Sequence, residues 1–217
     1  VSAVTSYERP AIEVPEFRDE DGHVIEYGRR WSESPPEATY SVDTHPERFA
    51  PLHTVADALV THLRDTYDVE IDEGAETAAD LLHPVPHDFA RAVRIRPNNP
   101  ASASLTLVFT AYPGIVMHAG LLHDFLYPVC GCDACDSSWA READRLESQV
   151  LAVAAGNYRE SADLGGESVA FSYTYPDGTS SGHSRAQDLP VDRLRAAVPV
   201  LTELSGRWAA WPHSTSD

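Results

Sequence analysis

The chain contains no lysine. All of its 16 basic residues are arginine, set against 34 acids, and the formal net charge is −18. A phosphate backbone is repelled by such a surface, which excludes nucleic acid as an expected partner. An anionic membrane leaflet is repelled for the same reason. A basic protein is attracted and steered in fast, and this is the partner class the charge leaves open. Long apolar runs are missing as well. The longest uncharged apolar stretch, 105–119, is interrupted by Thr, Tyr, Pro, Gly and His, and a membrane-spanning helix needs about 20 apolar residues. The first ten residues hold no basic segment followed by an apolar one, so no secretory signal is expected. Cysteine is scarce: there are three, Cys130, Cys132 and Cys135. An odd number inside six residues does not make a disulfide framework. It fits a reducing, cytoplasmic setting in which the thiols are free, metal-bound or redox-active.

What is present reads as α+β. Residues 1–50 are rich in proline and acids and read as an N-terminal arm packed on the core. Within the arm, Asp21-Gly22 is a hairpin turn signal between strand-like flanks over 17–27. The acidic run 19–22 also hints at a calcium loop. That loop needs a bidentate Glu at its end, where Gly28 stands, so the turn is preferred. Residues 51–217 read as a single α+β domain. Leu52, Val55, Leu59 and Leu63 recur at helical spacing, which predicts a helix over 51–67 with Pro51 in its first turn. Val69 and Ile71 predict a short strand, and 77–82 a short helix. Strands at about 90–96, 104–112 and 114–119 are separated by Asn98-Asn99-Pro100 and Pro113-Gly114. Connections this short make an antiparallel meander. A long helix is predicted over 137–158, with Trp139, Leu146, Val150 and Val153 on one face. Val169, Phe171, Tyr173 and Tyr175 alternate before the turn at Pro176-Asp177-Gly178, a C-terminal hairpin. A last helix carries Leu194, Ala197, Leu201 and Leu204, with Pro199 inside it and Gly206 as its stop.

Segment 121–136 is the chemically dense one. Cys130, Cys132 and Cys135 offer three soft thiolates to one ion. A structural zinc takes four ligands, commonly three Cys and one His. His123, just upstream in what reads as a loop able to fold back, is the expected fourth ligand, and His118 is the other histidine nearby. Two further readings stand beside zinc. In one the segment is a tight turn at Gly131 with free thiols, Asp136 or Ser137 capping the next helix. In the other, Cys132-Asp133-Ala134-Cys135 is a redox pair at a helix start, with Asp124, Asp133 and Asp136 opposing the thiolate. A zinc deaminase is excluded because Gly120 stands where its catalytic Glu belongs. His83 and His87 have helical spacing, but Pro84 and Pro86 break the helix.

The stretches Val24-Ile25-Glu26-Tyr27-Gly28-Arg29-Arg30-Trp31, Tyr40-Ser41-Val42-Asp43 and Arg48-Phe49-Ala50-Pro51-Leu52 carry a resemblance. So do Phe109-Thr110-Ala111-Tyr112-Pro113-Gly114, His118-Ala119-Gly120-Leu121-Leu122-His123-Asp124 and Cys130-Gly131-Cys132-Asp133-Ala134-Cys135-Asp136. Over most of its length the chain resembles a family of actinobacterial proteins classed as a domain of unknown function, and that resemblance implies no activity. The residues themselves contain no complete catalytic constellation. The expectation is a non-enzymatic protein that binds a protein partner through its acidic surface. The alternative is a metal-dependent or thiol enzyme centred on His118, His123 and the cysteines.

Overall fold

The computed structural model describes residues 6–84, 89–162 and 167–215. His87 and Pro86, weighed above, lie outside the described residues.

The arm makes a minimal hairpin. Arg18 and Val24 form one antiparallel bridge, and Gly22, at φ +85°, turns the chain between them. The first helix, α1 (Pro51–Thr66), buries Leu52, Val55, Leu59 and Leu63 as their spacing requires. After it come β1 (Val69–Glu73), a 3-10 turn (Ala75–Asp80), β2 (Phe89–Pro97), β3 (Leu105–Thr110) and β4 (Gly114–Ala119). The meander therefore forms where expected, in an antiparallel sheet of five strands. The fifth strand, β5 (His123–Tyr127), corrects the placing of His123 on a loop. Its residues alternate in the strand period: His123, Phe125 and Tyr127 oppose Ala119, Met117 and Ile115, and Asp124 opposes His118. Their polar chemistry hid that alternation in the sequence.

One face of the sheet, built from Val93, Ile95, Leu105, Leu107, Ile115 and Met117, packs with α1 and with α2 (Trp139–Ala154) into the main core. The other face carries a smaller cluster of Leu81, Ala92 and Val108. The long helix is shorter than predicted. It ends at Ala154, and Gly156, at φ +72°, lies so close to the C-terminal tail that a Cβ there would sit 2.5 Å from the Ala210 nitrogen. Its N-cap is Ser138, which accepts from the Arg141 N–H, rather than Asp136 or Ser137.

A second sheet follows, β6 (Tyr158–Ala162), β7 (Ser168–Tyr175) and β8 (Gly178–Arg185), so the predicted C-terminal hairpin gains a strand. The last helix, α3 (Val191–Glu203), contains Pro199, and Gly206 lies just beyond it at φ +68°. The tail then bridges Ser102 and Tyr67, tying the end of the chain to the first half. No helix among the described residues is long and apolar enough to cross a membrane.

Candidate metal centre

Between Tyr127 and α2 the chain makes a loop whose backbone is fixed from outside. Asp133 is 4% exposed. Its N–H donates to the Val42 carbonyl at 2.7 Å, and the Ala134 N–H donates to that of Thr39 at 3.0 Å. The Asp133 carboxylate accepts from the Thr44 hydroxyl. It also faces two guanidinium groups, Arg30 at 3.7 Å and Arg48 at 3.9 Å. Arg48 is 1% exposed. It donates to the carbonyls of Gly131 at 2.5 Å and His45 at 2.9 Å while its planar head lies over the rings of Tyr27 and Phe49. Asp136 accepts from the Arg30 N–H at 2.8 Å, and the Trp31 indole donates to the Asp133 carbonyl. A buried carboxylate is stable only when paired and hydrogen-bonded. Asp133 meets that condition and fastens the loop instead of repelling the thiolates, while Asp136 takes one hydrogen bond from the arm and keeps its Oδ1 without a partner.

The three sulfurs converge in this frame. Their Sγ atoms lie within 4.8 Å of one another, and the Cys130 thiol donates to Cys132 Sγ at 3.3 Å. Cys130 and Cys135 are exposed and Cys132 is half-buried. Cys132 is pulled down to about 7, first by the Cys135 backbone N–H and against the effect of burial, then by the neighbouring thiols and the Ser41 N–H. Cys135 is pushed up to about 12, because it donates to Cys130 and Cys132 and is partly desolvated. Of these two thiols, Cys132 therefore takes negative charge before Cys135. A depressed thiol of this kind lowers the cost of the thiolate a metal requires. Tyr112 closes over Gly131: a Cβ there would lie 1.8 Å from its hydroxyl, and the half-exposed ring would have to swing aside.

His123 is not part of this cluster. It opens β5, and the cysteines follow that strand's other end, about 13 Å away at the usual strand rise. There it is 3% exposed and its Nδ1 donates to Glu160 at 2.8 Å. Glu160 is buried and also accepts from the Leu122 N–H at 3.0 Å, the Leu121 N–H at 3.1 Å and the Trp208 indole at 2.9 Å. His118 pairs through Nδ1 with Asp124 at 2.7 Å, and Asp124 accepts from the Leu82 N–H. Asp124 is therefore spent at the same far end. His83 and His123 line a cavity of 430 Å³ with Phe125, Phe171 and Arg145.

The residues that hold the loop, Tyr27, Arg30, Thr44 and Arg48, were not singled out by sequence reasoning, and neither was Glu160. A signal existed for the first group. The stretches 24–31, 40–43 and 48–52 that carry the family resemblance all meet at the cysteine loop. For Glu160 only the alternation of Tyr158 and Glu160 on the buried side of β6 marks it.

Fold and cluster together define an α+β protein with a three-thiol site that can hold a metal. Residues 13–215 match the model of a Family of unknown function (DUF6226), and the chain belongs to that family. No curated protein and no solved structure matches it.

Proposed function

We infer that this is a cytoplasmic, actinobacterial metal-binding protein that takes zinc through Cys130, Cys132 and Cys135 and acts by binding a basic protein partner. The observation that carries the metal reading is the convergence of three sulfurs within 4.8 Å on a loop tied down by hydrogen bonds to the arm. Zinc bound there joins the arm to the sheet, because the loop touches both. The fourth position is filled from outside the cluster, by water or by a donor of the partner. The net charge of −18 supports a basic partner, drawn to the acidic surface by steering. Elemental analysis of protein purified without a metal-affinity tag tests the site. About one zinc per chain is expected, with zinc–sulfur distances of about 2.3 Å by X-ray absorption, lost on Cys132→Ser. Metal-free protein with three titratable thiols after incubation in zinc defeats the reading.

A second reading has its own observation. His123 Nε2 is buried without a hydrogen-bond partner, while Nδ1 is held by Glu160. A histidine oriented by a carboxylate beside a cavity has the layout of a general base. This reading moves the enzyme alternative away from the cysteines to the other end of β5.

A further inference from the structure

We propose that the three thiols form a receptor for a trivalent thiophilic oxyacid, arsenous acid or its antimony counterpart, held as a three-coordinate trithiolate. The inference rests on the reading that Cys130, Cys132 and Cys135 coordinate one ion, and it names the ion class their geometry suits.

Three features point this way. The first is the donor count. Among the described residues no His, Asp or Glu joins the three sulfurs. His123 is committed to Glu160. Of the nearest acids along the chain, Asp133 is committed to Thr44, and Asp136, with one oxygen on the Arg30 N–H, lies outside the convergent group. A tetrahedral ion is left one ligand short. Trivalent arsenic makes three bonds and keeps a lone pair in the remaining direction, so it needs no fourth donor. The second is the sulfur spacing. Tetrahedral bonds of about 2.3 Å separate sulfurs by about 3.8 Å, whereas bonds of that length at right angles separate them by about 3.3 Å. The Cys130–Cys132 pair stands 3.3 Å apart, with all three sulfurs within 4.8 Å, and near-right-angled bonding is what a pyramidal, lone-pair-bearing centre adopts. The third is access to a preformed site. Cys130 and Cys135 are exposed, and Cys135 opens on a surface cavity of 460 Å³ with Ser137, Arg141 and Arg145 on its wall. The loop is held by Asp133, Arg48 and the Thr39 and Val42 carbonyls, none of which uses a sulfur. Soft thiolates favour soft ions, and a preorganised loop spends little of the binding energy on ordering.

The step balances without an oxidant. Three S–H bonds and three As–O bonds break, and three As–S bonds form. Each thiol proton leaves with one hydroxyl group as water, and arsenic stays trivalent throughout.

Reduced protein, purified without a metal-affinity tag and stripped of metal, is titrated with sodium arsenite under anaerobic conditions. Intact mass, ultraviolet thiolate-to-arsenic absorption and the count of free thiols are followed. The expected result is one arsenic per chain, a mass gain of one arsenic less three hydrogens, and simultaneous protection of all three thiols. Cys130→Ser and Cys135→Ser, both at exposed positions, lose the absorption band at arsenite concentrations that saturate the wild type, as does Cys132→Ser. Undiminished binding in any one of these variants overturns a three-coordinate site. Uptake of one zinc without any uptake of arsenite overturns the inference and leaves the zinc reading standing. Uptake of neither overturns both.

Discussion

At one end of β5, His123 and Glu160 are sealed beneath aromatic rings. At the other, Cys130 and Cys135 stand in solvent on a loop that is itself clamped. Both ends set a polar group in a web of N–H donors, and the webs do opposite things. Around Glu160, four donors from Leu121, Leu122, His123 and Trp208 fill one carboxylate. Its capacity is spent inside the fold, and no arginine pairs with it among the described residues. Around the cysteines, the donors and the two arginines are spent on Asp133, Asp136 and the loop carbonyls, and the sulfurs stay accessible. The difference separates structure from chemistry across one short strand: a saturated buried carboxylate stabilises, and unsaturated sulfurs on a clamped loop can bind.

The sharpest way to break this comparison is at Glu160. Truncation to Ala strands four donors in the interior, and losing one member of a buried pair costs about 3–5 kcal/mol. Glu160→Ala is expected to show that loss in denaturant unfolding, with an unfolded or aggregating protein as the extreme. Glu160→Gln, which keeps an acceptor oxygen, recovers part of it. A melting curve for the Ala variant that overlays the wild type removes the structural role and favours the general-base reading of His123.

Arg48 tests the other end. Replacing it with Met leaves the Gly131 and His45 carbonyls without their donor and Asp133 with Arg30 as its one remaining guanidinium. A loss of about 3 kcal/mol is expected. A second effect has no counterpart at Glu160: zinc or arsenite affinity falls, because the loop no longer holds the sulfurs together. Arg48→Lys does not rescue, since an ammonium cannot reach two carbonyls while lying flat over Tyr27 and Phe49. Full ligand affinity in the Met variant means that the frame does not position the sulfurs.

Much of this architecture was legible in the sequence, for a physical reason. Leu52, Val55, Leu59 and Leu63 sit at helical spacing, and Val93 and Ile95 alternate, so burial of an apolar face had one solution for each. β5 was not legible, because its inward positions include a histidine and its outward ones an aspartate, and alternation is usually sought in apolar residues. The site was half legible. Three cysteines in six residues announced a cluster, and the structure brings them together. The partners of His123 and Asp133 come from Glu160 and from the arm, distant in sequence, where local pattern carries no information. The pairing of Asp133 was not legible either, since its arginine neighbours come together only on folding.

The smallest expected effect lies in the pH dependence of the metal-free trio. Cys132 drops from an ordinary 9.0 to about 7 in the folded protein. A depressed folded value means that the folded state releases the proton more readily than the unfolded chain. Its contribution to stability is complete above pH 9.0, shrinks between there and about pH 7, and is gone below that value. The thiol is only half-buried, so screening keeps the amplitude below that of either substitution above. The measurement is the difference in unfolding free energy between reduced wild type and Cys132→Ser, taken in chelator across that window. Wild type is expected to gain on the variant as pH rises toward 9.0, with the two running parallel below about 7. Alkylation by iodoacetamide gives the same midpoint by rate, since only the thiolate reacts. A difference curve that stays flat, together with alkylation that rises only near the ordinary thiol value, shows that the Cys135 and Ser41 N–H groups do not prepare Cys132 for an ion. The frame around Asp133 then holds a loop and nothing more.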